Sequence, residues 1–273
     1  EMPHITQIAA MEMESGESFN EYIFPKVPIS FEASYITGFT VSEDNKFKVH
    51  GEEVNAVFLK EGLNRFISWV QKFSNAVLIA HNGRRFDFPI TMNAVRDVNL
   101  IDSFMSVIFG FIDSLGVLRK TFPGQKTYQQ VRLVRSLLNQ SYRAHNGLED
   151  VKALRSLMQK ANWSSENLMK SSFKPDAVLT SLLFKMEVYK NIGSLDVLIR
   201  RGIVKQGTAE KIAGSGLNLA HLPKIFQRDG ERGLQTAFIQ NNKENQPRVT
   251  KSKRVLEDAI PKLAEYFRST NAV

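Results

Sequence analysis

The chain has 273 residues, of which 42% are hydrophobic, so it is long enough to bury a core and is not disordered throughout. Its 36 Lys and Arg against 28 Asp and Glu give a net charge of +8, which suits a polyanionic partner but also serves solubility. The absence of cysteine excludes disulfides and thiolate zinc sites. No apolar run is long enough to span a membrane and no signal-peptide pattern opens the chain, so we expect a nuclear or cytoplasmic protein without a membrane partner.

The first part of the chain alternates strand and helix patterns. Residues 5–11 and 18–24 predict a hairpin, and apolar residues at helical spacing between positions 59 and 73 predict an amphipathic helix. The apolar run 76–80 is typical of a strand covered on both faces, and a second apolar run, 107–112, ends at Asp113. This alternation predicts an α/β domain with a mixed sheet flanked by helices over residues 1–160.

The rest of the chain shows mainly helical patterns. Thr127 and Gln130 have the spacing of a capping box, and a further helix is expected to begin near Leu148. Beyond the first domain we expect a helical extension over 161–240, a flexible basic linker over 241–254 and a C-terminal helix over 255–273.

Two groups of polar residues lie where ligands bind in α/β proteins. The first begins with His81 at the carboxyl end of the predicted strand 76–80 and reaches Asp87 at the start of the next helix. The second runs from His145 to Asp150 at a helix entry. If both face one cleft, Asp87 and Asp150 would form part of a site for Mg²⁺ or Mn²⁺, because these ions prefer oxygen ligands.

These residues resemble the DEDDh exonucleases, including the three-prime repair exonucleases and the exonuclease-like C-terminal domain of the promyelocytic leukaemia protein with its fish homologues. The likeness covers the family's second strand and its second and third motifs, and an Asp at the end of a central strand: residues 5–10, 80–89, 144–151 and 113–115. It implies a ribonuclease-H-like sheet and two metal ions that grip the phosphate at the 3′ end of DNA or RNA.

The resemblance also implies a role for each motif residue. Asp87 and Asp150 would be metal ligands, and His145 would be the general base that deprotonates the attacking water. Three residues would contact nucleic acid: Asn82, Arg84 and Arg85. His81 and Asp113 would support the metal ligands without binding the metal themselves. For a histidine at the end of a strand, a structural role with hydrogen bonds to neighbouring protein groups is more common.

One part of the family pattern is missing. The first motif, an Asp-x-Glu-Thr-x-Gly strand, normally lies just before the strand that residues 5–10 resemble. Residues 11–16 imitate it, but they follow that strand, so we expect Glu12 and Glu14 to flank the hairpin instead. Asp87 and Asp150 alone are too few carboxylates to hold two metal ions tightly.

Three functions are consistent with this pattern. The first is a 3′→5′ exonuclease that releases nucleoside monophosphates, with its first catalytic strand missing from this fragment. The second is a catalytically inactive exonuclease fold that binds nucleic acid or nuclear proteins, and the third is a structural scaffold in a nuclear assembly. Residues 243–245 match a ubiquitin-ligase recognition motif and residues 251–254 a short nuclear import signal, although such short matches often arise by chance.

Overall fold

The computed structural model describes residues 3–242 and 245–270, and the chain divides into two compact units, Glu1–Leu179 and Thr180–Val273. The division between these units lies after residue 179, and the boundary at residue 160 stays a prediction. Residues 243 and 244 of the ubiquitin-ligase motif lie outside the described residues. No described helix is both long and apolar enough to cross a membrane.

The predicted hairpin opens the first unit. Strand β1 (Gln7–Met11) pairs antiparallel with β2 (Ser18–Ile23), which pairs in parallel with the short β6 (Ala56–Val57). The Glu12 carboxylate accepts hydrogen bonds from the backbone of Glu14 (2.9 Å) and Ser15 (2.5 Å) in the connecting turn. Glu12 is thus occupied in closing the hairpin, as its position after the strand predicts.

A small second sheet is not predicted by the sequence pattern. It contains β3 (Phe39–Val41), β4 (Phe47–Val49) and β5 (Glu52–Glu53), all antiparallel, and follows the short helix α1 (Phe31–Thr37). Gly38 ends α1 in a left-handed conformation (φ 74°) that favours glycine. The sheet is anchored by Phe39 and Phe47, which are buried and pack against each other with ring centroids 5.4 Å apart.

The central α/β part agrees closely with the predicted pattern. Strand β7 (Ala76–Ala80) runs parallel to β8 (Ile108–Asp113), and Ala80 pairs with Asp113 at their carboxyl ends. Around these strands lie four helices: α2 (Leu59–Val70), α3 (Asp87–Asp97), α4 (Ile101–Val107) and α5 (Ser114–Thr121). Parallel strands bring their carboxyl ends to the same edge, which is where the candidate site begins.

The segment after α5 contains one wrong prediction and one correct one. Helix α6 (Gln130–Leu133) starts without a side-chain cap, because the Thr127 hydroxyl accepts from the Gln129 amide (3.3 Å) and lies outside the helix; it leads into a π-helical turn, Val134–Leu138. The capping box is therefore not formed. Helix α7 (Gly147–Ala161) begins next to the predicted Leu148 and is capped by the Asn146 side chain.

The remaining described elements are helical, as predicted. They are α8 (Ser165–Lys170), α9 (Pro175–Asn191), a 3₁₀ turn (Ile192–Leu195), α10 (Asp196–Arg200), α11 (Gln206–Gly214), α12 (Leu222–Ile239) and α13 (Lys253–Thr270). Helix α9 spans the division between the units. In the second unit, α10 to α13 bury a common apolar core that includes Leu198, Ile212, Phe238, Leu263 and Phe267.

The segment predicted as a flexible linker, 241–254, differs from that expectation. Val249 and Thr250 are buried, and Val249 belongs to the core of the second unit. Arg248 donates to the Ser215 carbonyl oxygen (3.3 Å), and Asn241 forms a β-bridge with Pro247. A valine flanked by polar residues is enough to anchor the chain when the neighbouring helices leave an apolar site for it.

Candidate functional site

A cavity of about 790 Å³ lies in the first unit beside two strands of different sheets. Every residue of β1 and every residue of β7 lines it. Because successive side chains of a strand point to opposite faces, a cavity lined by all of them runs along the strand's edge. Among the described strands, β1 pairs only with β2 and β7 pairs only with β8. The cavity therefore lies along two unpaired strand edges.

Strand β7 is less buried beside this cavity than its sequence predicts. Its sequence, Ala-Val-Leu-Ile-Ala, predicts a strand covered on both faces, yet all five residues are only half-buried. Helices α2, α3 and α7 complete the wall with side chains such as Phe66, Phe88 and Leu154. The cavity has the length of a strand and an apolar lining, and its edges offer backbone hydrogen bonds that no described strand uses.

Asp87 lies at the mouth of this cavity. It is the first residue of α3, directly after the loop that leaves β7, and its side chain is exposed to solvent. Protein atoms nevertheless surround it closely enough for desolvation to raise the pKa of its carboxyl group, and the charges of Asp113 and Asp150 raise it further. The charges of Asp113 and Asp150 thus oppose the ionisation of Asp87.

Asp150 lies in the first turn of α7 and faces the same cavity. Its carboxylate accepts a hydrogen bond from the backbone amide of His145 (3.1 Å). Burial raises the pKa of Asp150, while its hydrogen bond with Tyr142 and the nearby His145 oppose the shift. Tyr142 has a raised pKa as well, chiefly through burial and then through the charge of Asp150.

His145 also lines the cavity, and its side chain is exposed. Its backbone has φ +67°, a left-handed conformation that is uncommon outside glycine and asparagine. Strained backbone of this kind persists only where the surroundings fix it, and it concentrates at functional sites. Here the fixing contact is the hydrogen bond from its amide to Asp150, so the two candidate residues hold each other in place.

Helix α7 is attached to β1 at its first residue. The Gly147 amide donates to Gln7 Oε1 (2.9 Å), and a Cβ atom on Gly147 would stand 3.0 Å from the Ala9 Cβ atom. A larger residue at position 147 would push the helix away from the strand. At its far side, Arg155 Nε donates to the Met13 carbonyl oxygen (2.8 Å). These contacts set the position of His145 and Asp150 beside the unpaired edge of β1.

Asp113 and His81 are bound by neighbouring protein groups. Asp113 caps α5 through the Leu115 amide (3.0 Å) and accepts from the Arg84 amide (3.2 Å), so it joins the end of β8 to the loop after β7. His81 makes two hydrogen bonds, with the Ser114 hydroxyl (2.9 Å) and the Tyr128 carbonyl oxygen (2.7 Å). Both ring nitrogens are used inside the protein, which is the structural role weighed for His81.

The predicted nucleic-acid contacts lie in the loop between β7 and α3. Asn82 has φ +57°, and its carbonyl oxygen accepts from the Arg85 amide (3.0 Å). The Arg84 guanidinium lies 3.5 Å from the centroid of the Phe173 ring, whereas Arg85 is exposed. Phe86 is 53% exposed, whereas Phe88 is buried and stacks on Phe111 with ring centroids 4.2 Å apart.

Two supporting residues are not indicated by any sequence motif. Gln130 donates from Nε2 to the Tyr142 hydroxyl (3.0 Å) and to the Asp150 carbonyl oxygen (2.8 Å). Tyr142 in turn contacts the Asp150 carboxylate. The sequence pattern includes Gln130 only as half of a capping box that does not form. The proximity of both residues to Asp150 depends on the path of the chain between α6 and α7, which no local pattern reveals.

The described residues do not by themselves fit a two-metal centre. Among residues 3–242 and 245–270, no group of three or more His, Asp or Glu side chains is arranged to hold a metal ion. Asp87 and Asp150 offer two carboxylates, and Asp113 is engaged with two backbone amides. A divalent ion such as Mg²⁺ requires more oxygen ligands, which water, phosphate or additional carboxylates would have to supply.

The α/β unit with acidic residues and a histidine at the carboxyl ends of its strands defines the class of a nuclease-like domain. A family model described as an exonuclease matches residues 1–158, which is more than half of the chain, and the chain belongs to this family. A second model, the C-terminal domain of PML, matches residues 191–270. The predicted fold class, an α/β domain of the exonuclease family followed by a helical region, is confirmed.

Individual relatives agree with these two matches. Protein PML from Homo sapiens is 22% identical over 179 residues, covering 66% of this chain and 19% of that protein, and Protein PML from Mus musculus is 22% identical over 200 residues, covering 71% and 22%. DNA polymerase III subunit epsilon from Buchnera aphidicola is 27% identical over 156 residues, covering 55% of this chain and 58% of that protein. The chain therefore spans about a fifth of the PML proteins.

A solved structure, Exonuclease X in complex with 5′ overhanging duplex DNA, covers 60% of this chain and 88% of that chain, with a TM-score of 0.37 and 15% identity.

Proposed function

We propose that the first unit is the catalytic domain of a 3′→5′ exonuclease, a phosphodiester hydrolase that releases nucleoside monophosphates from the 3′ ends of DNA or RNA. The observation that carries this proposal is the meeting of Asp87, His145 and Asp150 at one cavity. They come from two separate motifs, one at the start of α3 and one at the start of α7. Acidic side chains in the first turn of a helix also suit its dipole, but the dipole does not require both to line one cavity together with a histidine.

Each residue has a role that its position supports. The imidazole of His145 is the general base for the attacking water, because it is exposed at the cavity and its backbone is fixed by Asp150. Asp87 and Asp150 are the carboxylates of the metal site. Arg85 is exposed and available to bind a phosphate, whereas Arg84 is held over Phe173 and has to leave that ring to do so.

The cavity supports the proposal that a further strand completes this site. Neighbouring strands in a sheet lie about 4.8 Å apart, so one strand inserted beside β1 and β7 would satisfy both free edges. Such a strand, carrying an Asp-x-Glu sequence and supplied by a longer form of the chain, would add its carboxylates to Asp87 and Asp150. Completed in this way, the site would hold Mg²⁺ or Mn²⁺.

The second candidate function is an exonuclease fold that binds nucleic acid or nuclear proteins without cutting. It is favoured by one observation, the lack of a metal-binding group of three residues in the described part of the chain. A nuclear location and a ubiquitin-ligase partner remain predictions from the short motifs near residue 250.

The test is an assay of nucleotide release from 3′-labelled oligonucleotides, with Mg²⁺ or Mn²⁺ and with a chelator control. The 273-residue chain by itself is expected to be nearly inert, whereas a longer form that begins with an Asp-x-Glu strand should release mononucleotides. The matched control carries Asn-x-Gln in the same strand, which keeps the strand and removes its charges. Equal release by both longer forms, or release that resists the chelator, would contradict the proposal.

A further inference from the structure

Nearly all of the net positive charge lies in the second unit. Residues 180–273 contain 16 Lys and Arg against 9 Asp and Glu, a net charge of +7, whereas residues 1–179 contain 20 against 19, a net charge of +1. The charge that suits a polyanionic partner is therefore largely absent from the unit that contains Asp87 and Asp150. It lies on a helical unit for which the proposed chemistry gives no role.

The core of this unit brings two basic segments together. Ile203 and Val204, in the turn between α10 and α11, share one apolar cluster with Ala259 and Leu263 of α13. This packing fixes the turn against the helix. Arg201 and Lys205 flank the two buried turn residues and are themselves exposed, so they lie at the surface beside α13.

Contacts between side chains confirm this arrangement. The Arg201 guanidinium lies 5.5 Å from the ring centroid of Tyr266 on α13. Asp258, two turns before Tyr266, has a lowered pKa, mainly through its hydrogen bond with Lys262 and further through the charges of Lys205 and Arg254. Positions 254, 258, 262 and 266 are four residues apart and form one stripe along the helix. The stripe and the turn thus make one surface.

This surface has more cations than its carboxylates can pair. Two of the three acidic residues of α13 are already engaged, Asp258 with Lys262 (2.7 Å) and Glu257 with Lys253 (3.7 Å), and the third is Glu265. Lys205, Lys251 and Arg254 are exposed and form no ion pair among the described residues. Cations held together without counter-charge repel one another, and an anionic ligand relieves that repulsion.

We propose that this basic face, formed by Arg201, Lys205, Lys251, Lys253, Arg254 and Lys262, binds the phosphate backbone of nucleic acid without regard to base sequence. The stretch from Arg254 to Lys262 is about 12 Å long at 1.5 Å per residue. At about 3.4 Å per nucleotide, that length spans several phosphates of one strand. The affinity for nucleic acid would then come from a unit different from the one that holds the candidate catalytic residues.

The composition of the face favours nucleic acid over a membrane surface. Proteins that bind membranes through basic residues insert neighbouring aromatic or aliphatic side chains into the headgroup layer. Among the described residues, the large hydrophobic side chains with substantial exposure all lie outside the 196–205 and 249–270 segments. Arginine, present twice, pairs well with phosphate because its planar group donates two parallel hydrogen bonds.

The experiment compares two triple variants of the full chain. Lys205→Ala, Lys253→Ala and Arg254→Ala remove three charges from the basic face, while the matched control, Lys26→Ala, Lys60→Ala and Lys160→Ala, removes three exposed charges from the first unit. The dissociation constant for a labelled double-stranded oligonucleotide is measured across a series of salt concentrations. The face variant should bind more weakly and lose about three units of the logarithmic salt slope, whereas the control should keep the parent slope.

Thermal unfolding verifies that both variants are folded. If the triple variant is unfolded, the single variant Lys205→Ala replaces it and should lower the salt slope by about one unit. Equal slopes for the face variant and the parent would overturn the proposal, as would equal losses in the face variant and the control. Tighter binding to vesicles of anionic lipid or to polyglutamate than to the oligonucleotide would assign the face to a different partner and would also overturn it.

Discussion

The two units of this chain differ in net charge and in where their candidate functional residues lie. The first unit is almost electrically neutral, and its candidate catalytic residues Asp87, Asp150 and His145 line one cavity. The second unit is a helical bundle with a well-filled core and a strongly basic surface. The comparison shows that net charge alone does not locate a nuclease site: in this chain the charge and the candidate catalytic residues lie in separate parts of the sequence.

The largest expected effect concerns the acidic residues of the first unit. In a strand-completed protein, Asp87→Ala or Asp150→Ala should reduce nucleotide release to background, because too few carboxylates would remain for metal binding. His145→Ala should reduce the rate by about a hundredfold, a typical contribution of a general base. Rates are compared under single-turnover conditions, with Asp97→Ala, at the opposite end of α3 from Asp87, as an acidic control. Full activity in both aspartate variants would remove these residues from the site.

Core truncations should act on one unit at a time. Phe111→Ala in the first unit and Phe238→Ala in the second each empty a fully buried position and should cost about 3–5 kcal/mol of stability. Hydrogen exchange resolved by peptide should show lost protection in the mutated unit only, because each unit has a core of its own. Equal loss in both units for either variant would mean that they unfold as a single cooperative body.

A smaller effect is expected from the ionisation of Asp87. Its pKa is raised in the folded protein, so the folded state holds the proton more tightly than the unfolded chain does. Stability should therefore fall as the pH rises from below the ordinary aspartate value of about 3.9 to above the raised value. Asp87→Asn should be slightly more stable than the parent at neutral pH, by less than about 1 kcal/mol because the side chain is exposed.

The advantage of Asp87→Asn should disappear in acid, where the parent carboxyl group is also neutral. Thermal unfolding at a series of pH values measures the difference. A constant difference at all pH values would show that packing changes, rather than the charge, explain it.

Much of the first unit could be predicted because its signals are local. The apolar runs of β7 and β8, the spacing within α2 and the Asn146 cap of α7 all lie within a few residues of the elements they define. The small sheet β3–β5 could not be predicted in this way, because its strands have only two or three residues each. Strands this short are held by packing, as the contact between Phe39 and Phe47 shows.

In the candidate site, too, only the residues that belong to local motifs could be predicted. Asp87, His145 and Asp150 could be named from motifs, whereas Gln130 and Tyr142 join the site through contacts set by the loop between α6 and α7. For the segment 241–254, the local composition gives a prediction that the structure contradicts. Its polar and basic composition predicts flexibility, but the single apolar Val249 is drawn into the core of the second unit and orders its neighbours. Composition describes an average, and one buried residue is enough to override it.

The division between a catalytic unit and a binding unit is tested most directly by steady-state kinetics of the strand-completed protein. The variant with Lys205→Ala, Lys253→Ala and Arg254→Ala should raise KM for an oligonucleotide and leave kcat close to the parent value. Asp150→Asn should lower kcat by orders of magnitude while the dissociation constant for the oligonucleotide stays within a small factor of the parent. A basic-face variant that loses kcat at unchanged KM, or an Asp150→Asn protein that no longer binds, would contradict the division.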